Sequence, residues 1–329
     1  WRPNATGENS SQPGVTSYYK GIISGTGNII KSGYGTLVLT NASHSWSGTT
    51  TISDGTLGLK TNNDVLPTGT ELTITGDGHF VTFGGISQTI AKLVSSSSNS
   101  RIRTSEGEHT GEDVSYTQVG VLTVNQSANT TFVGKITGRG GLAKSGSGNL
   151  TLSGVNTYYG GTTINAGKII LGASGVLSDR GPVTLANASG AILDLNNNNE
   201  QIGALIGGGS TGGKIVLGSG DLIINPIWNK FRSSVGATFT GVISGSGSVT
   251  KTGEGTLKLA GANTYTGGTV INEGAIRAMV TNAIAANRAL TLSNTGKFVV
   301  HDSKTVTVGS FIGSSNTVLH IRPSAIFNV

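Results

Sequence analysis

Gly255-Thr256-Leu257-Lys258-Leu259, then Asn263-Thr264-Tyr265-Thr266-Gly267-Gly268-Thr269, then Ile271-Asn272-Glu273-Gly274, is the stretch that decides the fold. It occurs three times. An earlier copy reads Gly148-Asn149-Leu150-Thr151-Leu152, Asn156-Thr157-Tyr158-Tyr159-Gly160-Gly161-Thr162, Ile164-Asn165-Ala166-Gly167. The first reads Gly35-Thr36-Leu37-Val38-Leu39, Asn41, Ser45-Trp46-Ser47-Gly48-Thr49, Ile52-Ser53-Asp54-Gly55. Similarity extends outward on both sides. Upstream, each copy carries a Lys two residues before a Gly: Lys31, Lys144 and Lys251, at long and nearly equal intervals. Downstream, Val65-Leu66 through Ile74 parallels Val176-Leu177 through Leu185 and Ile284-Ala285 through Leu292. Self-similarity at a fixed long interval is the signature of an architecture built by stacking.

Inside each unit, apolar residues alternate with small polar ones, as at Leu37/Leu39, Leu57/Leu59 and Leu72/Ile74. Period two predicts strands. Gly-Asp-Gly, Ser-Gly-Ser-Gly and Gly-Gly punctuate the runs as turns. The best helical candidate, 280–289, is short and aligns with stretches of no helical character. A sandwich or propeller and a parallel solenoid both use many short strands with Gly turns. Propeller blades repeat at roughly 40–50 residues, far below the interval here. The expectation is therefore an all-β parallel β-solenoid. About five coils of roughly 22 residues make each unit, about 15 in all, with a few protruding loops. Coils about 4.8 Å apart would make a rod of about 70 Å. Residues 1–329 read as one such domain of three units, about 19–125, 132–225 and 239–329.

Composition agrees. Gly accounts for 53 of 329 residues and Pro for only 6, which excludes collagen and Pro-rich linkers. Charged residues are 12%, and Ile, Val and Leu recur regularly, unlike a disordered chain. There is no Cys, which excludes disulfides and thiolate zinc. No run of about 18 apolar residues occurs, so no membrane-spanning helix is expected. The chain opens at Trp1 without a signal-peptide pattern and is expected to be a mature or trimmed fragment. The formal charge of +6 resides after Leu222, where nine basic residues face three acidic ones.

The three copies resemble the autotransporter-associated β-strand repeat, Gly-Thr-Leu-x-Leu-x-Gly-x-Asn-x-Tyr-x-Gly-Gly-Thr-x-Ile-x-x-Gly. The second and third match almost throughout, whereas Trp46 and Ser47 depart from it in the first. The resemblance implies a right-handed parallel β-helix passenger. Such a passenger is secreted by a Gram-negative bacterium through a C-terminal outer-membrane β-barrel, which is not represented up to Val329. In size and style the chain is similar to the Bartonella angiogenic factor type, a secreted mitogen acting on VEGF-type endothelial receptors. The resulting expectation is a secreted or surface-exposed, non-enzymatic virulence effector that binds a host cell-surface receptor. That receptor is of the VEGF-type receptor tyrosine kinase class, with heparan sulfate as a second partner. The alternatives are an adhesin for host cells or matrix, and a structural stalk of a larger passenger.

Candidate chemistry does not rise above turns. Gly208-Gly209-Ser210-Thr211-Gly212 matches a nucleophile elbow only formally, because an elbow needs a strand-to-helix turn. The five histidines form no metal-binding pair. His301-Asp302 reads as an exposed turn, and Asp54, Asp77, Asp194 and Asp221 lie beside turns without clustering as a glycosidase pair would. No catalytic residue, metal or cofactor is expected.

Function on a regular scaffold resides where its copies disagree. The stretch from Leu93 to Asn125 is longer, by about a dozen positions, than the matching stretch from Leu205 to Asn225. The excess falls in Arg101-Ile102-Arg103-Thr104-Ser105-Glu106-Gly107-Glu108-His109-Thr110-Gly111-Glu112-Asp113, expected as a protruding loop. Its partner-binding candidates are Arg101, Arg103, Glu106, Glu108 and His109. The second irregularity is Pro226-Ile227-Trp228-Asn229-Lys230-Phe231-Arg232, where Trp228, Lys230, Phe231 and Arg232 interleave aromatic and basic character. With the C-terminal basic residues it forms a candidate anionic-polysaccharide surface. Nucleic acid and membrane insertion of this fragment are not expected. The Lys31/Lys144/Lys251 series is read as structural.

Overall fold

The computed structural model describes residues 15–106, 119–226 and 236–329. Every named element there is a strand, and every strand pair is parallel. The chain winds as a solenoid of about 14 turns. Each turn has three flat faces. The first turn, for example, contributes Thr16–Tyr19, Ser24–Gly25 and Ile29–Lys31. Each segment pairs with its counterpart one turn later: Thr36–Leu39, Ser45–Trp46 and Thr50–Ile52.

Inward-facing apolar residues stack into ladders that run along the axis. One is Leu57, Phe80, Ile102, Ile136, and another is Leu150, Ile169, Leu193, Ile215, Ile243. All of these are fully buried. Each such side chain contributes about 1.5–3 kcal/mol of transfer free energy, and the parallel ladder satisfies the backbone between turns.

The repeated motif is explained residue by residue. Lys144 is buried and its Nζ donates to the carbonyls of Ser145, Gly146 and Ala166 at 2.5, 2.8 and 3.3 Å. Lys31 and Lys251 make the equivalent three bonds. Three ammonium protons thus close a turn and tie it to the next one. Burial pulls Lys144 and Lys251 down to about 8; the three carbonyls oppose that pull by favouring the charged form. Gly167 ends the motif with φ 66°, and a Cβ there would lie 2.5 Å from Gly148 O and 2.8 Å from Lys144 Nζ. Only glycine fits such a left-handed, crowded position.

The Asn of the motif spans three turns. Asn156 Oδ1 accepts from Ile136 N one turn back, while its Nδ2 donates to Val176 O one turn ahead. Asn263 does the same between Ile243 N and Ala283 O. In the first copy His44 takes this place: its Nδ1 accepts from Ile23 N, but Nε2 is buried without a partner. Tyr158 and Tyr265 are fully buried, with their hydroxyls against Thr162 and Thr269. Trp46 repeats that contact through Nε1 to Thr50.

The repeat and the turn are out of phase. From the strand bearing Lys31 to that bearing Lys144 the chain passes fourteen face segments, and from Lys144 to Lys251 it passes fourteen more. Fourteen thirds is 4⅔ turns, so each unit is displaced by one face from the last. Accordingly Lys31, Lys144 and Lys251 lie in three different sheets. The expected figure of about five coils per unit is refined to 4⅔ by this count. The stretch 280–288 is a run of turns and bends in which Asn282 and Asn287 adopt positive φ, and Ala289 already begins a strand.

Candidate functional site

The face that begins with Thr16–Tyr19 carries two outward rows. Strict parallel register aligns Thr16, Thr36, Thr56, His79, Arg101 and Lys135 in the first. Two residues further along each strand it aligns Tyr18, Val38, Gly58, Val81, Arg103 and Thr137. Successive members of a row are about 4.8 Å apart, and the rows are two residues, about 6.6 Å, apart. Side chains from seven successive turns, Thr16 and Tyr18 through Thr157, line a half-open cleft of about 950 Å³ along this face. The Phe83 ring lies over Gly58, where a Cβ would come within 2.7 Å of it. Glycine in this row is therefore what lets an aromatic ring settle against the sheet.

Charge in the cleft is concentrated in its later turns. Its early turns present threonine hydroxyls, Tyr18 and Val38 with one cation, Lys60, which is engaged in an interaction of its own; its later turns present His79, Arg101, Arg103 and Glu106. Arg103 is paired with Glu106, Nη1 to Oε1 at 2.6 Å. Arg101 stands directly between His79 and Lys135 in the row. Among the described residues, no carboxylate forms a salt bridge with Arg101 or Lys135. Like charges directly opposite one another on a sheet are destabilising. His79 is held below its ordinary value by burial first, then by Arg101 and Arg103, against opposing pulls from Asp77 and Asp54.

Three sequence-derived candidates, Arg101, Arg103 and Glu106, therefore line one cleft. The structure corrects their setting: Arg101–Glu106 is a strand, not a protruding loop. Ile102 and Thr104 point inward and are buried, while Arg101 and Arg103 point outward. The density of charge masks a period of two. Glu108 and His109 lie outside the described residues, as do Trp228, Lys230, Phe231 and Arg232. Other members of the cleft, among them Thr16, Thr36, Thr56, Lys60, His79, Tyr18 and Phe83, were not foreseen. The spacings 16, 36, 56, 79 and 101 track the coil length and hold the only sequence signal for them.

The four acids weighed as a glycosidase pair serve turns. Asp54 accepts from Gly55 N, Asp194 from Asn196 N, Asp221 from Ser248 N, and Asp77 from the Asn99 amide. His301 Nδ1 is 3.9 Å from Asp302, which also faces Arg322. Gly208–Gly212 is a turn between strands, with no helix to complete an elbow.

Comparison with known proteins agrees with this architecture. Residues 29–59, 142–171 and 249–278 match the passenger-associated-transport-repeat. Over 159 residues, 48% of this chain, the sequence is 41% identical to the adhesin BmaC autotransporter of Brucella suis biovar 1 (strain 1330). The aligned region is 4% of that protein's length. No solved structure matches.

Proposed function

We infer that this chain, which carries three passenger-associated-transport repeats, is part of an autotransporter passenger exported through or displayed on the outer membrane, and that it serves as a non-enzymatic adhesive rod for host surfaces. The observation that carries this reading is the polarised cleft spread over seven turns of one face. A site of that length suits an extended surface molecule, and a rigid stacked scaffold holds its side chains in register. The adhesin named above supports it by similarity. In this reading the units at about 19–125, 132–225 and 239–329 are successive parts of one rod.

The test is attachment of purified chain to cultured host cells, with the wild type compared against the double variant Arg101→Gln/Arg103→Gln. Saturable attachment of the wild type is expected, reduced several-fold in the variant. Failure of the wild type to attach overturns the reading. The finer reading is a soluble effector of a VEGF-type receptor, assisted by heparan sulfate. It predicts instead that free protein triggers receptor phosphorylation in endothelial cells; phosphorylation without cell attachment would replace the adhesive reading.

A further inference from the structure

We propose that the cleft binds an oligosaccharide ending in an acidic sugar, with its acidic group at Arg101 and its neutral sugars along the threonine row. The inference rests on the adhesive reading for its biological setting but not for its chemistry.

Four observations carry it. First, Arg101 is flanked in register by His79 and Lys135, a run of cationic or cation-capable groups one rung apart. Such a run is unfavourable unless an anion relieves it. Second, Arg103 already has its carboxylate in Glu106. This pair fixes one guanidinium at the cleft and leaves Arg101 as the donor fork directed to a ligand; guanidinium geometry suits carboxylate and sulfate oxygens. Third, the row itself is uncharged before His79, and the cation that lines the cleft beside it, Lys60, is already engaged in an interaction of its own. Thr16, Thr36 and Thr56 repeat a hydroxyl at each of three successive turns, a spacing of the same order as one sugar ring in a chain. Hydroxyls of this kind both donate to and accept from sugar hydroxyls. Fourth, Tyr18 and Phe83 supply aromatic surface beside the row, which suits the apolar C–H faces of pyranose rings.

The polarity of the cleft also discriminates. Nucleic acid carries a charge at every phosphate and calls for cations along the whole track. Here the row offers three successive hydroxyls before its first cation-capable group, and Lys60 beside them is engaged in an interaction of its own. A ligand with one acidic end and a hydroxyl-rich body matches that order.

The experiment is titration calorimetry of the full chain with sialyllactose, lactose, a sulfated galactose disaccharide and a single-stranded DNA oligomer. Sialyllactose is expected to bind and lactose to bind at least tenfold more weakly. Arg101→Gln is expected to lose about tenfold in affinity for the acidic ligand, since bonds to charged groups are the strong ones. Thr36→Val/Thr56→Val should weaken sialyllactose and leave the shorter sulfated probe less affected. Circular dichroism melting confirms that each variant is folded. His79 supplies a readout that does not depend on affinity: its imidazole titration, followed by NMR, should move upward on saturation because the bound anion offsets Arg101 and Arg103. Binding of the sulfated probe alone would identify sulfate as the acidic group and keep the proposal. Equal binding of lactose, an unchanged affinity in Arg101→Gln, tighter DNA binding through Arg101, or no binding of either acidic saccharide would each overturn it. Saccharide binding without cell attachment would uphold the cleft and reject the adhesive reading. Cell attachment indifferent to Arg101→Gln/Arg103→Gln would do the reverse.

Discussion

Replacing Glu200 by glutamine tests how the stack tolerates a buried acid. Glu200 is almost fully buried, and its Oε2 accepts from Val176 N at 2.9 Å and Leu177 N at 3.3 Å. Its Oε1 is buried with no partner. The corresponding place in the preceding unit is held by Gln88. There Oε1 accepts from Leu66 N at 2.9 Å and Nε2 donates to Leu66 O at 3.0 Å. A glutamine satisfies both sides of the turn, whereas an ionised glutamate has no proton to give. Burial pushes Glu200 up to about 7 from 4.5, with backbone bonds opposing and Asp179 adding a smaller upward push. The folded value lies above the unfolded one, so between the two the native state holds the extra proton. Stability from the neutral acid is complete below about pH 4.5 and is lost as pH rises through about 7. At roughly 1.4 kcal/mol per pH unit, the gap amounts to about 3 kcal/mol. Glu200→Gln is neutral at every pH and should recover that amount at pH 8.5 while changing little at pH 4.5. Solenoids open locally, so urea unfolding at both pH values should be paired with hydrogen exchange at the Val176 and Leu177 amides. A variant no more stable than wild type at pH 8.5, or a gain of equal size at both pH values, would refute the reasoning.

Further substitutions probe the motif, each read by urea unfolding. Lys144→Met keeps the volume but removes all three donors from the carbonyls of Ser145, Gly146 and Ala166; a loss of about 3 kcal/mol is expected from stranded buried acceptors. Gly167→Ala introduces a methyl at φ 66° against Gly146 O, Gly148 O and Lys144 Nζ, and should cost at least about 2 kcal/mol, more than an alanine at the open, positive-φ Gly175. Asn156→Ala should cost about 2 kcal/mol, because it cuts bonds to both neighbouring turns; His44→Ala should cost less, since His44 makes one such bond and leaves Nε2 unpaired.

Much of the architecture was legible because the chain writes it in period two and in a long repeat. Leu57/Leu59 and Leu72/Ile74 announce strands, and the recurrence of Gly-Thr-Leu-x-Leu announces stacking. The phase of the stack was not legible. The interval from Lys31 to Lys144, or from Lys144 to Lys251, divides as readily into five coils as into 4⅔. Only the pairing of these lysines with different sheets decides it. The cleft was half legible. Arg101, Arg103 and Glu106 stood out through charge and through the length mismatch nearby. Thr16, Thr36 and Thr56 did not, because a threonine on a strand looks like any other until register places three of them in one row. The same charge that drew attention to Arg101–Glu106 hid its strand, since Ile102 is the sole large apolar residue of the alternation.

The phase has a consequence for where a repeat protein can keep a binding site. If units held a whole number of turns, equivalent residues would stack on one face and the rod would display the same surface along its length. With 4⅔ turns per unit, the motif's lysine clamp and its Asn–Tyr corner move to a new face with each unit. Each face is thus assembled from non-equivalent parts of successive units. On the face that carries the cleft, the Thr36 strand opens the first motif and the Thr56 strand follows it, the His79 and Arg101 strands come from its downstream stretch, and Lys135 already belongs to the next copy. The ladder of hydroxyls passing into cations therefore arises from the offset between repeat and turn, and inserting or deleting one face segment upstream of His79 would dismantle it while leaving every motif intact. An insertion duplicating residues 65–70 should leave the protein folded, by circular dichroism and urea unfolding, yet abolish binding of the acidic saccharide; retention of wild-type affinity in that variant would show that the row is not the ligand's track.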